Sequence, residues 1–396
     1  MPSNAEVSST LNKLREEADP DLAPLFYEFE QLYQEKLWHQ LTERLKVFFE
    51  DPRSSNLRLT TYANFVTTFY DRINQLSVVD FLLQSLKNYD DHDQSLKYLT
   101  ELEQSFKTID EKKQRNDGLK NHEDGCLLIE IETARTYLHK GNLVKSRDLL
   151  DDLGRTLDSK DSIPLSVTSA FYSTNAEYYR LKKDFNSFYY TSLLYLSTVD
   201  QAEIQQQVNL AENRQLAYNL SIAALLGDRI YNFGELLNHP IMDSILTDPT
   251  YKWIFDLLNA LTVGDFNKFD NLIGVQIPKE PILAEHESFL RQKICLMTLV
   301  ESVFAKNIRT LSFDDIAQAA HLPKDNVEHL VMRAISLGLL KGSIDQVNEL
   351  VNITWVQPRI INSAQISRMR DILVDWDAEV TKLGEKIAVH GKSIWV

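Results

Sequence analysis

Hydrophobic residues recur with the period of an α-helix over most of the chain. Near the start of this region, Leu22, Leu25, Phe26 and Phe29 follow one another at steps of three, one and three positions. Such spacing places apolar side chains on one face of a helix with 3.6 residues per turn. Between residue 22 and about residue 269, the pattern therefore predicts a succession of amphipathic helices that each bury one face.

Short polar or glycine-containing breaks separate several of these helices. At Gly141, Asp184 and Gly264 one helical pattern ends and another begins within a few residues, which lets the chain reverse its direction. This helix–turn–helix order is typical of tetratricopeptide-like repeats, whose period is about 34 residues. The three breaks are 43 and 80 positions apart, so the sequence predicts degenerate repeats rather than a regular array.

The pattern changes after about residue 285. A helix, a short extended stretch, two further helices and two alternating stretches are predicted at residues 287–305, 310–312, 313–320, 325–339, 340–345 and 350–356. Alternation of apolar and polar residues in the last two stretches indicates a two-stranded hairpin. Helix, strand, helix, turn, helix and hairpin is the order of a winged helix.

A last helix is predicted between residues 363 and 388. Seven large apolar residues recur along it at alternating steps of three and four, namely Ile366, Met369, Leu373, Trp376, Val380, Leu383 and Ile387. These residues, which we call the C-terminal seam, have the spacing of helices that pack in bundles. Residues 363–396 hold five Lys or Arg and five Asp or Glu, so attraction to a partner should be mainly apolar. We expect the seam to contact another chain; the alternative is a helix folded back on its own domain.

Together these patterns predict a mainly α protein, with a tetratricopeptide-like helical-repeat solenoid followed by a winged helix and a C-terminal bundle helix. The predicted segments are a polar N-terminal segment, the repeats, the winged helix, and the bundle helix with its tail, at residues 1–20, 21–284, 285–361 and 362–396. Two polar stretches, at residues 110–125 and 197–209, are predicted to be loops.

Composition favours helices and an intracellular location. Only 12 Gly and 11 Pro occur among 396 residues, and so few chain breakers favour long helices. The two cysteines, Cys126 and Cys295, cannot form a disulfide framework, which indicates a reducing compartment. The first ten residues are polar and lack the features of a signal peptide, and no run of about 18 apolar residues could span a membrane. We therefore expect a soluble protein.

The charge argues against nucleic-acid binding. The formal net charge is −15 at pH 7, whereas binding to phosphates requires an excess of cations. The predicted winged helix holds eight Lys or Arg against nine Asp or Glu, and Asp325 and Glu328 begin the helix that would enter a DNA groove. We therefore expect this domain to contact protein rather than nucleic acid, and we expect no binding to anionic membranes.

The sequence contains no convincing pattern of catalytic or metal-binding residues. None of the nine histidines has a second His, Cys or carboxylate at the spacing of a zinc site. The Gly391-Lys392-Ser393 stretch is similar to the end of a phosphate-binding loop, but Lys386 stands where the first glycine of that loop should be. The sequence thus predicts no catalytic residue, no metal and no cofactor, and it indicates that the chain is not an enzyme.

Several segments resemble PCI-domain proteins, which occur in the proteasome lid, the signalosome and a translation initiation factor complex. The likeness is carried by INQLSVV, SFYYTSLL, NFGELL, LPKDNVEHLVMRA, GSIDQV and WVQPR, which begin at residues 73, 187, 232, 322, 342 and 355. These segments resemble a subunit of the 26S proteasome lid. A PCI subunit of the signalosome or of an initiation factor complex is the alternative, and a winged-helix nucleic-acid binder is another.

The resemblance implies a non-catalytic scaffold subunit of the regulatory-particle lid, which supports lid assembly and ubiquitin-dependent protein degradation in the cytoplasm and nucleus. In that family, winged helices of neighbouring PCI subunits pack edge to edge. The C-terminal helices join a shared bundle that includes the MPN-domain metalloprotease pair, and the C-terminal seam would enter this bundle. On this chain the winged-helix edge would be formed by Leu340, Lys341, Ser343, Asp345, Ile353 and Trp355.

Overall fold

The structure is a computed structural model that describes residues 4–20, 22–87, 91–117, 122–199, 210–276, 280–306, 310–357 and 363–391. The chain divides into two compact units, Met1–Val199 and Asp200–Val396. The described secondary structure is helical except for three short strands in the second unit. The predicted mainly α class, with helical repeats followed by a winged helix, is confirmed.

The first unit contains ten α-helices among its described residues. They are α1 (Asn4–Glu17), α2 (Ala23–Gln34), α3 (Trp38–Glu50), α4 (Arg58–Asn64), α5 (Gln75–Leu86), α6 (His92–Asp117), α7 (Glu123–His139), α8 (Leu143–Asp158), α9 (Leu165–Lys182) and α10 (Phe185–Thr198). Phenylalanine side chains fill the core at its N-terminal end. The ring of Phe29 is fully buried and lies 5.6 Å from that of Phe26, 5.9 Å from that of Phe48 and 6.2 Å from that of Phe65.

Residues 1–20, described from sequence as a polar N-terminal segment, contain a helix with a buried face. Residues 4–17 form α1, and the side chains of Val7, Leu11 and Leu14 are buried in the same core as the phenylalanines. These residues are spaced by four and three positions, so they lie on one face of α1. From sequence alone the segment looks polar because these three apolar residues are surrounded by charged and hydroxyl-bearing residues.

The breaks predicted from sequence are tight turns between packed helices. Gly141 adopts a left-handed conformation (φ 77°), and the side chain of Asn142 then caps α8 by accepting a hydrogen bond from the Lys145 amide at 3.3 Å. Lys183 adopts the corresponding conformation (φ 60°), and Asp184 caps α10 by accepting from the Ser187 amide at 3.3 Å. The polar residues at these breaks therefore end one helix and start the next.

The two predicted loops have different outcomes. The prediction of a loop at 110–125 is wrong for residues 110–117, which continue α6, and for residues 123–125, which begin α7, whereas residues 118–121 lie outside the described residues. Charged residues are compatible with the exposed face of a helix, which is why they do not by themselves indicate a loop. In the second stretch, residues 197–198 end α10, and residues 200–209 lie outside the described residues.

The second unit contains further helices and the winged helix. Its helices are α11 (Leu210–Leu226), α12 (Gly234–Leu237), α13 (Asp243–Leu246), α14 (Lys252–Val263), α15 (Phe266–Gln276), α16 (Pro281–Glu285), α17 (Glu287–Lys306), α18 (Phe313–Ala320), α19 (Val327–Ser336) and α20 (Ser363–Gly391). Its strands are β1 (Thr310–Ser312), β2 (Leu340–Asp345) and β3 (Leu350–Val356), which form an antiparallel sheet in the order β1-β3-β2.

Helix α17 joins the two parts of this unit, because it packs against both α14 and α18. The contacts therefore place residues 210–285 in one compact unit with the winged helix, whereas the sequence pattern changes near residue 285. The functional boundaries at residues 284/285 and 361/362 stay predictions.

Candidate assembly surfaces

The C-terminal seam lies on α20 and is exposed along its whole length. The seven side chains Ile366, Met369, Leu373, Trp376, Val380, Leu383 and Ile387 are between 47% and 65% exposed. Residues 366–388, apart from Arg368 whose side chain is not described, are all exposed. The chain itself therefore leaves this apolar surface uncovered, and the alternative of a seam folded back on its own domain has no support in the described residues.

Two residues that the sequence analysis missed widen the apolar surface of α20. Ile372 and Val374 flank Leu373 and are 48% and 60% exposed. Successive residues of a helix are about 100° apart, so these three side chains span roughly 200° of its circumference. The signal was present in sequence as an Ile-Leu-Val triplet, but the seam pattern counts only residues on one face.

Among the described residues, one edge of the winged-helix sheet has no further strand paired to it. Because the sheet order is β1-β3-β2, β2 is an edge strand. On this edge Lys341 and Ser343 are exposed, and the Lys341 Nζ lies 5.0 Å from the centre of the Trp355 ring, which is itself 40% exposed. An ammonium over an indole face is a favourable cation–π contact. These three residues form the exposed wing edge.

Asp345 shapes the turn that connects β2 to β3. Its carboxylate accepts hydrogen bonds from the Asn348 side chain at 2.7 Å, the Asn348 amide at 3.1 Å and the Val347 amide at 3.2 Å. These bonds, led by that from the Asn348 side chain, lower the pKa of Asp345 because they favour its charged form. The structure therefore gives Asp345 a role inside its own turn.

The assignment of Leu340 and Ile353 to an exposed edge is wrong. Leu340 is 1% exposed and Ile353 is 4% exposed, so both belong to the core of the winged helix. Successive side chains of a strand point to opposite faces of the sheet, and the apolar ones here take the face that packs on the helices. Moreover, β3 is the central strand, so its backbone pairs with β1 and β2.

A β-bulge between Lys341 and Gly342 shifts the register in which β2 pairs with β3. A Cβ added to Gly342 would lie 2.3 Å from the Asn352 carbonyl oxygen and 3.1 Å from the Ile353 Cα, so only glycine fits.

We expect Gly342→Ala to destabilise the winged helix by about 1–3 kcal/mol, the usual cost of overpacking a closely packed position. Denaturant unfolding would measure this loss. Ser343→Ala, on the same strand but at an exposed position, should change stability by less than about 0.5 kcal/mol. Equal stability of the two variants would contradict the close approach at the bulge.

The charges of the winged helix do not favour phosphate binding. Lys324 forms ion pairs with Glu349 and with Asp314, the latter at 3.1 Å, and hydrogen bonds to these carboxylates raise the pKa of Lys324. Arg291 likewise contacts carboxylates, at 3.0 Å from Glu287 and 3.0 Å from Asp270. These cations are neutralised by the chain itself, which leaves less positive charge for an external phosphate.

Within the described part of the chain, no group of three or more His, Cys, Asp or Glu side chains is arranged to hold a metal ion. The two cysteines are free, and burial raises the pKa of Cys295 and raises that of Cys126 to about 11, so both thiols are protonated near pH 7. Among the described helices, none is both long and apolar enough to cross a bilayer.

Comparison with known families divides the chain into three matching regions. The family described as PSD13 N-terminal repeats matches residues 25–258, the PCI domain family matches residues 275–355, and the family described as Rpn9 C-terminal helix matches residues 359–391. The last two regions contain the wing edge and the C-terminal seam. Both candidate surfaces therefore lie in segments that are characteristic of these families.

Individual relatives match over nearly their whole length. The 26S proteasome regulatory subunit RPN9 of Saccharomyces cerevisiae is 66% identical over 100% of both chains. The probable 26S proteasome regulatory subunit rpn9 of Schizosaccharomyces pombe is 38% identical over 99% of both chains. The 26S proteasome non-ATPase regulatory subunit 13 homolog A of Arabidopsis thaliana is 32% identical over 90% of this chain and 91% of its own. By these matches, the chain belongs to the RPN9/PSD13 family of PCI-domain proteasome regulatory subunits.

Proposed function

We propose that this chain is a non-catalytic structural subunit of the 26S proteasome regulatory-particle lid. It supports lid assembly, and through it ubiquitin-dependent protein degradation, in the cytoplasm and nucleus. The names of its full-length relatives support membership of the chain in the 26S proteasome. The exposed C-terminal seam is the observation that carries the proposed role in assembly. A continuous row of exposed large apolar side chains on one helix is typical of a protein–protein contact.

The C-terminal seam fits amphipathic helices of other subunits. Where Ile372, Leu373, Val374 and Trp376 lie, the apolar arc is wide, so this level of α20 requires neighbouring helices on at least two sides to exclude water. Farther along, residues 380–387 present only the narrow seam, which one helix can cover. This narrowing of the apolar surface along α20 supports entry of the helix into a bundle. We propose that it contacts the C-terminal helices of other lid subunits there, including those of the MPN-domain metalloprotease pair.

The wing edge offers a second, smaller contact. Strand β2 presents an unpaired edge among the described residues, and Lys341, Ser343 and Trp355 are exposed beside it. An edge strand of this kind can pair with a strand of another chain, and main-chain hydrogen bonds then provide affinity. We propose that the winged helix of a neighbouring PCI subunit packs here.

Affinity purification tests the complex to which the chain belongs. A tag at the N terminus leaves α20 free, and the co-purifying chains are identified by mass spectrometry. We expect the subunits of the proteasome lid in equal amounts with the tagged chain. Recovery of signalosome or initiation-factor subunits in their place, or of the tagged chain alone, would contradict the proposal.

Two variants with the same tag test whether the C-terminal seam makes the contact; one disrupts the seam and the other is its matched control. Leu373→Asp places a charge in the widest part of the apolar surface, where Leu373 is 61% exposed. An unpaired charge in a buried contact is costly, so lid subunits should be lost from this purification. Glu385→Ala changes a charged residue of the same helix outside the seam and should retain them.

A further inference from the structure

A lysine is buried at the junction between the helical repeats and the winged helix. Lys293 extends from α17, is 1% exposed, and places its Nζ 2.8 Å from the Ala224 oxygen, 3.0 Å from the Leu225 oxygen and 2.8 Å from the Gly227 oxygen. These carbonyls are at or just beyond the C-terminal end of α11, where a helix leaves carbonyl groups without backbone partners. The side chain of Lys293 therefore caps α11 from a position 66 to 69 residues away in sequence.

Three aromatic rings complete the surroundings of this side chain. The Nζ of Lys293 lies 5.3 Å from the Tyr231 ring, 5.2 Å from the Phe233 ring and 5.6 Å from the Phe289 ring. Burial lowers the pKa of Lys293 to about 7, and the charge of Asp228 opposes this effect. Three carbonyl acceptors match the three N–H donors of an ammonium group, and aromatic faces also attract a cation.

The contact connects two regions that the family comparison separates. Helix α11 lies in the region of the N-terminal repeats, whereas α17 lies in the region of the PCI domain. A second contact of the same kind lies nearby in the unit, where the Thr298 hydroxyl of α17 donates to the Gly264 oxygen at the end of α14, at 3.2 Å. Two helices that precede the PCI-domain region, α11 and α14, thus end on side chains of α17.

We propose that Lys293 is a positioning residue that locks the end of α11 and the following segment, residues 227–233, onto α17. Three hydrogen bonds converge on one atom, so the end of α11 cannot leave α17 without exposing carbonyls and a buried cation together. Within the second unit, α11 and α17 are thereby held together as one packed pair. This role is independent of the partners that the chain binds.

Hydrogen exchange of the full chain tests this lock. Lys293→Met keeps a side chain of similar length but removes the donors, so the three carbonyls lose their partner. At pH 6, where Lys293 carries its proton, amides between residues 224 and 233 should exchange at least tenfold faster in the variant, while those of β3 should exchange as before. Lys268→Met, at a side chain that is 75% exposed on α15, should leave both segments unchanged.

Equal exchange of residues 224–233 in wild type and Lys293→Met would overturn the proposal. Global stability is not the measurement to use, because removing a buried charge can offset the lost hydrogen bonds. If Lys293→Met does not fold, labelling of the wild type with an amine-reactive acetylating reagent decides instead. Lys293 should then react at least a hundredfold more slowly than Lys268, and at a rate that follows amide exchange of residues 224–227. Equally fast labelling of the two lysines, or labelling unrelated to that exchange, would overturn it.

Discussion

Deletion of residues 363–396 should leave a folded chain that no longer enters its complex. If the seven side chains of the C-terminal seam each bury most of their surface at about 1.5–3 kcal/mol, the gross gain is roughly 10–20 kcal/mol before ordering costs. No comparable apolar surface is exposed on the wing edge, where Trp355 is the only one of its three residues that is apolar. Because α20 is exposed throughout its described side chains, its removal should not disturb the core.

Native gel electrophoresis and size-exclusion chromatography would measure this loss. Trp376→Asp should reproduce most of it, because Trp376 is the largest anchor of the seam and a carboxylate there would be buried without a partner. Lys341→Ala should have a small effect, because it removes an exposed charge at the rim of the wing edge. Normal incorporation of the truncated chain, or equal effects of the two substitutions, would contradict the assignment of the seam.

Leu11→Ala should destabilise the first unit by about 2–5 kcal/mol, the usual range for removing a large aliphatic side chain from a core. Leu11 is 2% exposed and packs in the hydrophobic core that includes the phenylalanine cluster. The expected magnitude is large because, among the described side chains of α1, three apolar ones are buried in this core and Leu11 is the middle one.

Thermal and denaturant unfolding, followed by far-ultraviolet circular dichroism, would check this value. Lys13→Ala is the matched control, since Lys13 lies on the same helix at an exposed position and should alter stability by less than about 0.5 kcal/mol. A Leu11→Ala protein as stable as the control would show that α1 does not contribute to the core in solution.

Features that depend on local pattern were predictable from sequence. The hairpin follows from alternation, and the predicted bounds of its two strands and of the short extended stretch at residues 310–312 agree with β2, β3 and β1. The predicted start of the last helix at residue 363 also agrees with α20, which ends at Gly391 rather than at residue 388. In each case neighbouring residues carry the whole signal.

Features that depend on the packing of distant segments were not predictable. The burial of Leu340 and Ile353 depends on which face of the sheet packs on the helices, and the bulge at Gly342 is not visible in the alternation of residues. The contact of Lys293 with carbonyls near Gly227 is invisible in sequence, because a lysine in a helix is normally exposed. The stripe of α1 was present in sequence, but the surrounding polar residues concealed it.

The most direct test of the assembly role is hydrogen exchange of residues 366–387 in the free chain and in the purified lid. In the free chain α20 has an exposed seam, and a helix without tertiary packing opens readily. We expect fast exchange of these amides in the free chain and strong protection in the lid, greatest at residues 372–376. Exchange at the same rate in both states would contradict it.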